Sequence, residues 1–124
     1  MSGKSILETK SFDFSVRIIK LYQYLTEGAR EYVLSKQLLR SGTAIGALIK
    51  EAQNAESKMD FVHKLAIAQK ECAETSYWLE LMKETNYIKP NEFESVNNDA
   101  VELLKMIRSA ILTTKANIKA SHNS

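Results

Sequence analysis

At 124 residues the chain is long enough for one domain with a core that needs neither disulfide nor metal support. Hydrophobic residues at 44% and charged residues at 26% exclude a disordered chain, and four glycines with one proline leave too few breakers for a turn-rich sheet protein, so the default is all-α. Seventeen basic against fifteen acidic residues give a formal charge of only +2, which by itself demands no polyanionic partner.

Residues 1–10 read as a polar leader that lacks the apolar stretch of a signal peptide. The first helix is expected from about Ser11 to Glu27, with Phe14, Ile18, Leu21, Tyr22 and Leu25 on one stripe and Gly28 placed to end it. The second runs from about Glu31 to Asn54, carrying Leu34, Leu38, Ile45, Leu48, Ile49 and Ala52 at helical spacing. Inside it, Arg40-Ser-Gly-Thr-Ala-Ile-Gly-Ala47 sets Gly42 and Gly46 four residues apart, hence on one helix face. Each glycine costs about 1 kcal/mol relative to alanine in a helix interior. The reason to keep both is a second backbone passing close by, where a side chain would clash.

Ser57 reads as an N-cap, with Asp60 three residues on as a variant capping box, and the third helix is expected from about Lys58 to Asn86. One apolar stripe runs through Phe61, Leu65, Ala68, Cys72, Thr75 and Leu79, and a second through Ile67, Trp78 and Leu81. A helix apolar on two sides buries both, so the second face is expected to meet another subunit, Trp78 beside Tyr77 and Leu81 being too sticky to leave in water. Pro90 suits the first turn of a fourth helix, followed by a stripe of Phe93, Val96, Ala100, Leu104, Ile107, Ile111 and Ile118. Residues 120–124 read as a disordered tail, which leaves a single domain over 11–119. Four helices joined by short links are expected to pack as an antiparallel up-down-up-down four-helix bundle that assembles as a homo-oligomer.

Chemistry is sparse along this chain. Cys72, the single cysteine, falls among apolar residues in mid-helix with no histidine at helical spacing, so an inert core thiol in a reducing, cytoplasmic setting is expected. No run approaches the roughly 18 apolar residues of a membrane span, and no membrane contact is expected. No nucleophile elbow, phosphate loop or Cys-x-x-Cys pair occurs. Only Asp60-x-x-His63 resembles half of a carboxylate-bridged metal motif, and the other histidine, His122, lies near the end, so no metal or cofactor is expected.

Two charged sets stand out. Glu71, Glu74 and Trp78 share a stripe, and the carboxylates need a cationic partner, for which Arg40, Lys64 and Lys70 are candidates; the expected role is an inter-helix ion-pair network that fixes register. After Glu102 come Lys105, Arg108, Lys115 and Lys119 and no side-chain acid, close to one face of a helix segment about 21 Å long. Such a stripe can track phosphates, or it can simply complement the helix dipole and face solvent. Arg17, Lys20 and Arg30 are candidates to extend it.

The pattern from Gln37 through Ala52, with Ser57-x-x-Asp-Phe61, Lys64-Leu-x-Ile-Ala68, Lys70-Glu-x-x-Glu74 and Tyr77-Trp-Leu-x-Leu81, resembles a four-helix bundle family. Its members include proteins encoded in intervening sequences of bacterial 23S ribosomal RNA genes, and the pattern is also similar to the accessory variability protein of diversity-generating retroelements. The resemblance spans roughly residues 11–118. It implies a homopentamer of antiparallel bundles with no enzymatic activity assigned, and the retroelement relatives bind nucleic acid and a reverse transcriptase through a basic surface. This chain is less basic than those relatives. The expected function is therefore a non-enzymatic oligomer that binds nucleic acid, RNA or DNA, or serves a nucleic-acid-processing protein partner. The alternative is a protein-protein adaptor with no nucleic-acid role.

Overall fold

The computed structural model describes residues 5–123, which form four helices and no strand: α1 (Ile6–Glu27), α2 (Leu34–Gln53), α3 (Lys58–Glu84) and α4 (Pro90–Asn123). None of them is long and apolar enough to cross a membrane. Each helix packs chiefly on the next in sequence, while α1 and α4 touch more lightly. Ile18, Leu38, Ile45, Leu65, Leu79 and Ile107 have no solvent exposure and form the centre of one core. Burying each such side chain contributes about 1.5–3 kcal/mol. One polar link crosses that core, where Thr75 Oγ1 of α3 donates to Ser41 Oγ of α2 at 3.0 Å.

The helix ends follow from their caps. α1 starts at Ile6, five residues ahead of the expected boundary, so residues 6–10 belong to the helix and not to a polar leader; residues 1–4 lie outside the described part. The cause is a capping box: Ser5 Oγ accepts from the Glu8 N–H, and the Glu8 carboxylate accepts from the Ser5 N–H. Gly28 ends α1 and donates its N–H to the Tyr24 carbonyl. α2 begins at Leu34, three residues after the expected start. Ser57 caps α3 by accepting from the Asp60 N–H, but the Asp60 carboxylate accepts from the Glu56 N–H and not from that of Ser57. α3 stops at Glu84, and Asn86 turns the chain in the left-handed region (φ 68°). α4 then runs from Pro90 through Asn123, so 120–123, expected as tail, are helical; Ser124 lies outside the described residues.

The two glycines of α2 face α1. A Cβ on Gly46 would come within 3.0 Å of Ser15 Oγ and 3.2 Å of the Ser11 carbonyl oxygen, so the α1 backbone does pass close there. At Gly42 the neighbour is a side chain: a Cβ would lie 2.8 Å from both Cγ1 and Cγ2 of Ile18. The stretch thus serves two ends, a backbone approach at Gly46 and a socket for one isoleucine at Gly42.

Candidate functional site

Arg40, on the second turn of α2, reaches across to α3. Its guanidinium donates to Glu71 Oε2 and Oε1 at 3.3 and 3.2 Å and to Glu74 Oε2 at 2.6 Å. Trp78 Nε1 donates to the other oxygen of Glu74 at 3.3 Å. Of the three candidate cations, Arg40 is the one that meets both carboxylates; Lys64 pairs with Glu51 at 3.3 Å, and Lys70 lies exposed. The planar fork of arginine suits two acceptors one helical turn apart. Hydrogen bonding to Arg40 holds the Glu74 carboxyl below the usual range, and hydrogen bonding to Glu71 raises the guanidinium in turn. With every oxygen committed and Arg40 51% exposed, the cluster ties α2 to α3 and offers no free acid or base. Beside it, Tyr77 is 58% exposed and meets half-buried Trp78 edge-on at 5.1 Å. Ile67 and Leu81 are also half-buried.

The basic residues of α4 lie elsewhere. Lys105, Arg108, Lys115 and Lys119 are all exposed, and among the described residues none of them forms an ion pair. Arg17 does not extend the stripe: its guanidinium donates to Asp99 Oδ2 at 2.7 Å and to Ser95 Oγ at 2.5 Å. Lys10 of α1 pairs with Glu102 of α4 at 3.0 Å. Lys20 on α1 and Arg30 in the loop after it are exposed and form no ion pair among the described residues. Arg30 adopts the left-handed region (φ 55°) in that loop.

A carboxylate that sequence reasoning passed over is Glu31, taken there as the first residue of the second helix. It lies just ahead of α2, 9% exposed, and accepts from the backbone N–H groups of Val33, Leu34 and Ser35 at 2.7–3.1 Å. Ser35 Oγ donates back to the Glu31 carbonyl at 2.6 Å. Burial pushes the Glu31 carboxyl up, but the three N–H donors outweigh it and leave the group below its ordinary value. The signal available was an acid four residues before a serine, just after a helix-ending glycine.

Cys72 is buried, and burial, helped by the Glu71 charge, pushes its thiol up to about 12, far from nucleophilic. Among the described residues no group of three or more His, Cys, Asp and Glu converges to hold a metal ion, and Asp60 and His63 stand at the start of α3 without further ligands. A groove of about 420 Å³ between α1 and α2, floored by Gly46 and Ala47 and flanked by Phe12, Glu8 and Lys50, holds no nucleophile-base pair.

A sequence model of the family described as "23S rRNA-intervening sequence protein" matches residues 4–109. A solved structure from Bacteroides thetaiotaomicron VPI-5482, a protein of unknown function from the S23 ribosomal protein family, is similar at 51% identity. That match covers 86% of this chain and 98% of that one, with a TM-score of 0.85. No curated protein matches the chain.

Proposed function

The chain belongs to the 23S rRNA-intervening sequence protein family, and on that footing we propose that it is a non-enzymatic protein that binds nucleic acid, RNA or DNA, through the exposed face of α4. The observation that carries this reading is the row Lys105, Arg108, Lys115 and Lys119, exposed and without ion-pair partners among the described residues, in a stretch with no side-chain acid after Glu102. The antiparallel up-down-up-down topology belongs to the same proposal. It is supported by cross-helix contacts whose numbers run in opposite directions, Glu8 with Lys50 against Ile18 beside Gly42 on α1 and α2, and Arg40 with Glu74 against Glu51 with Lys64 on α2 and α3. Assembly as a homo-oligomer, with five copies as the resemblance suggests, would repeat the cationic face around a ring. The protein would then act in the cytoplasm, alone or beside a nucleic-acid-processing partner such as the reverse transcriptase of the retroelement relatives.

The test is charge reversal. Arg108→Glu with Lys115→Glu is expected to weaken polynucleotide binding, read by fluorescence anisotropy, while circular dichroism stays at the wild-type level. Light scattering and the 260/280 nm absorbance ratio of protein purified at low salt report subunit number and bound nucleic acid together. Binding indifferent to the two reversals discards the proposal. A second reading, a protein-protein adaptor, is favoured by one observation: Tyr77 stands exposed against Trp78, and such aromatics anchor protein interfaces. Recovery of a protein partner after nuclease treatment, with no nucleic acid copurifying, is the result that selects it.

A further inference from the structure

Ile111 is the last buried residue of α4; from Leu112 through His122 only Thr114 and Ile118 are even half-buried. Lys10 stands opposite Glu102, and the α1 cap Ser5 lies five residues before it, so α4 passes the start of α1 near residue 107. The helix nonetheless continues to Asn123. Twelve residues beyond Ile111 make an arm about 18 Å long at 1.5 Å per residue. The family match ends at residue 109, so this arm lies beyond the matched span.

Arg108, Leu112, Lys115, Lys119 and His122 fall within an arc of about 80° at 100° per residue, turned away from half-buried Thr114. No aromatic residue occurs after Phe93. Proteins that hold single strands rely on aromatic side chains on which successive bases stack, and this face has none to offer. Its attraction is to phosphates alone. That term grows with charge density, which is highest on a duplex, at about one charge per 1.7 Å of axis.

We infer that the α4 arm grips the phosphate backbone of a nucleic-acid duplex and does not read its bases. The inference rests on the nucleic-acid reading above and adds to it the ligand class and the segment responsible. Four phosphate contacts, from Lys105 and Arg108 just before the arm and Lys115 and Lys119 on it, give a slope of log affinity against log salt of about −3.6 on a duplex, a loss of about 150-fold between 50 and 200 mM. Two remaining contacts give a slope of about −1.8 and a loss of about 12-fold.

The experiment compares wild type, Lys105→Glu/Arg108→Glu and Lys115→Glu/Lys119→Glu. Each is titrated by anisotropy against labelled 20-base-pair DNA, 20-base-pair RNA and single strands of the same length, in mixed and homopolymeric sequence. Circular dichroism checks that all three chains fold alike. Expected are tighter binding to duplex than to single strand, little dependence on sequence, and a slope roughly halved by Lys115→Glu/Lys119→Glu; the DNA and RNA arms identify which duplex is preferred. Tighter binding to single strands, tenfold discrimination between sequences, or an unchanged slope in Lys115→Glu/Lys119→Glu overturns the inference. If only Lys105→Glu/Arg108→Glu weakens binding, the arm is excluded and nucleic-acid binding stands. If wild type binds no polynucleotide, both fall.

Discussion

Gly42→Ala is a substitution that helix propensity alone would judge favourable. It removes a glycine from the interior of α2, a gain of up to about 1 kcal/mol. The structure reverses the sign. The new methyl would lie 2.8 Å from Cγ1 and Cγ2 of Ile18, atoms near the root of a side chain that has no solvent exposure and so no room to swing away. Overpacking of this kind costs about 1–3 kcal/mol, so the net effect is a loss of up to about 2 kcal/mol, or about 8 °C at roughly 4 °C per kcal/mol for a chain this size. The cause can be isolated in a double-mutant cycle. Ile18→Ala alone is expected to cost about 2–5 kcal/mol. In that background the offending atoms are gone, and Gly42→Ala should stabilise by up to about 1 kcal/mol. Urea denaturation of the four proteins gives the coupling directly. A coupling energy below about 0.5 kcal/mol, or a Gly42→Ala protein more stable than wild type, refutes the argument that Gly42 is the socket of Ile18.

Two further perturbations test the polar devices. Because the Glu31 carboxyl titrates below its ordinary value in the fold, its stabilisation is present above the unfolded pKa and is lost as pH falls through the folded one. Glu31→Gln is therefore expected to cost about 1–2 kcal/mol at pH 7, with the gap to wild type closing on acidification below pH 5; an equal gap at pH 7 and pH 3 would contradict the capping role. Glu74→Ala removes a carboxylate whose partner Arg40 is half exposed and keeps Glu71, so a loss of no more than about 1 kcal/mol is expected, with a change in Trp78 fluorescence as its indole N–H loses its acceptor. A loss above about 3 kcal/mol would mean that the cluster is sealed from water.

Much of the fold was legible in the residues because the relevant signals are local. Gly28, Ser57 and Pro90 stand where helices end or begin, and each acts within one turn of its own position. Gly42 and Gly46 announced a close neighbour because a costly residue kept twice on one face needs a reason. Which neighbour could not be read: that a side chain fills one gap and a backbone the other depends on how α1 lies across α2. The same limit applies to Arg40, whose choice over Lys64 and Lys70 is settled by helix register. Ser5 and Glu31 were missed for a different reason. Both cap from outside the apolar stripe, and a search led by hydrophobic period starts only where that stripe does.

The seam between α1 and α4 has a further consequence. Three edges of the bundle are zipped chiefly by apolar packing, which added electrolyte leaves in place, and the exposed ion pairs on two of them, such as Arg40 with Glu74 and Lys50 with Glu8, add little to it. The fourth is lightly packed and carries Lys10 with Glu102 and Arg17 with Asp99, both at the surface, where dissolved ions blunt attraction. Added salt is therefore expected to weaken this seam before the other three, and the first and last helices would feel it together.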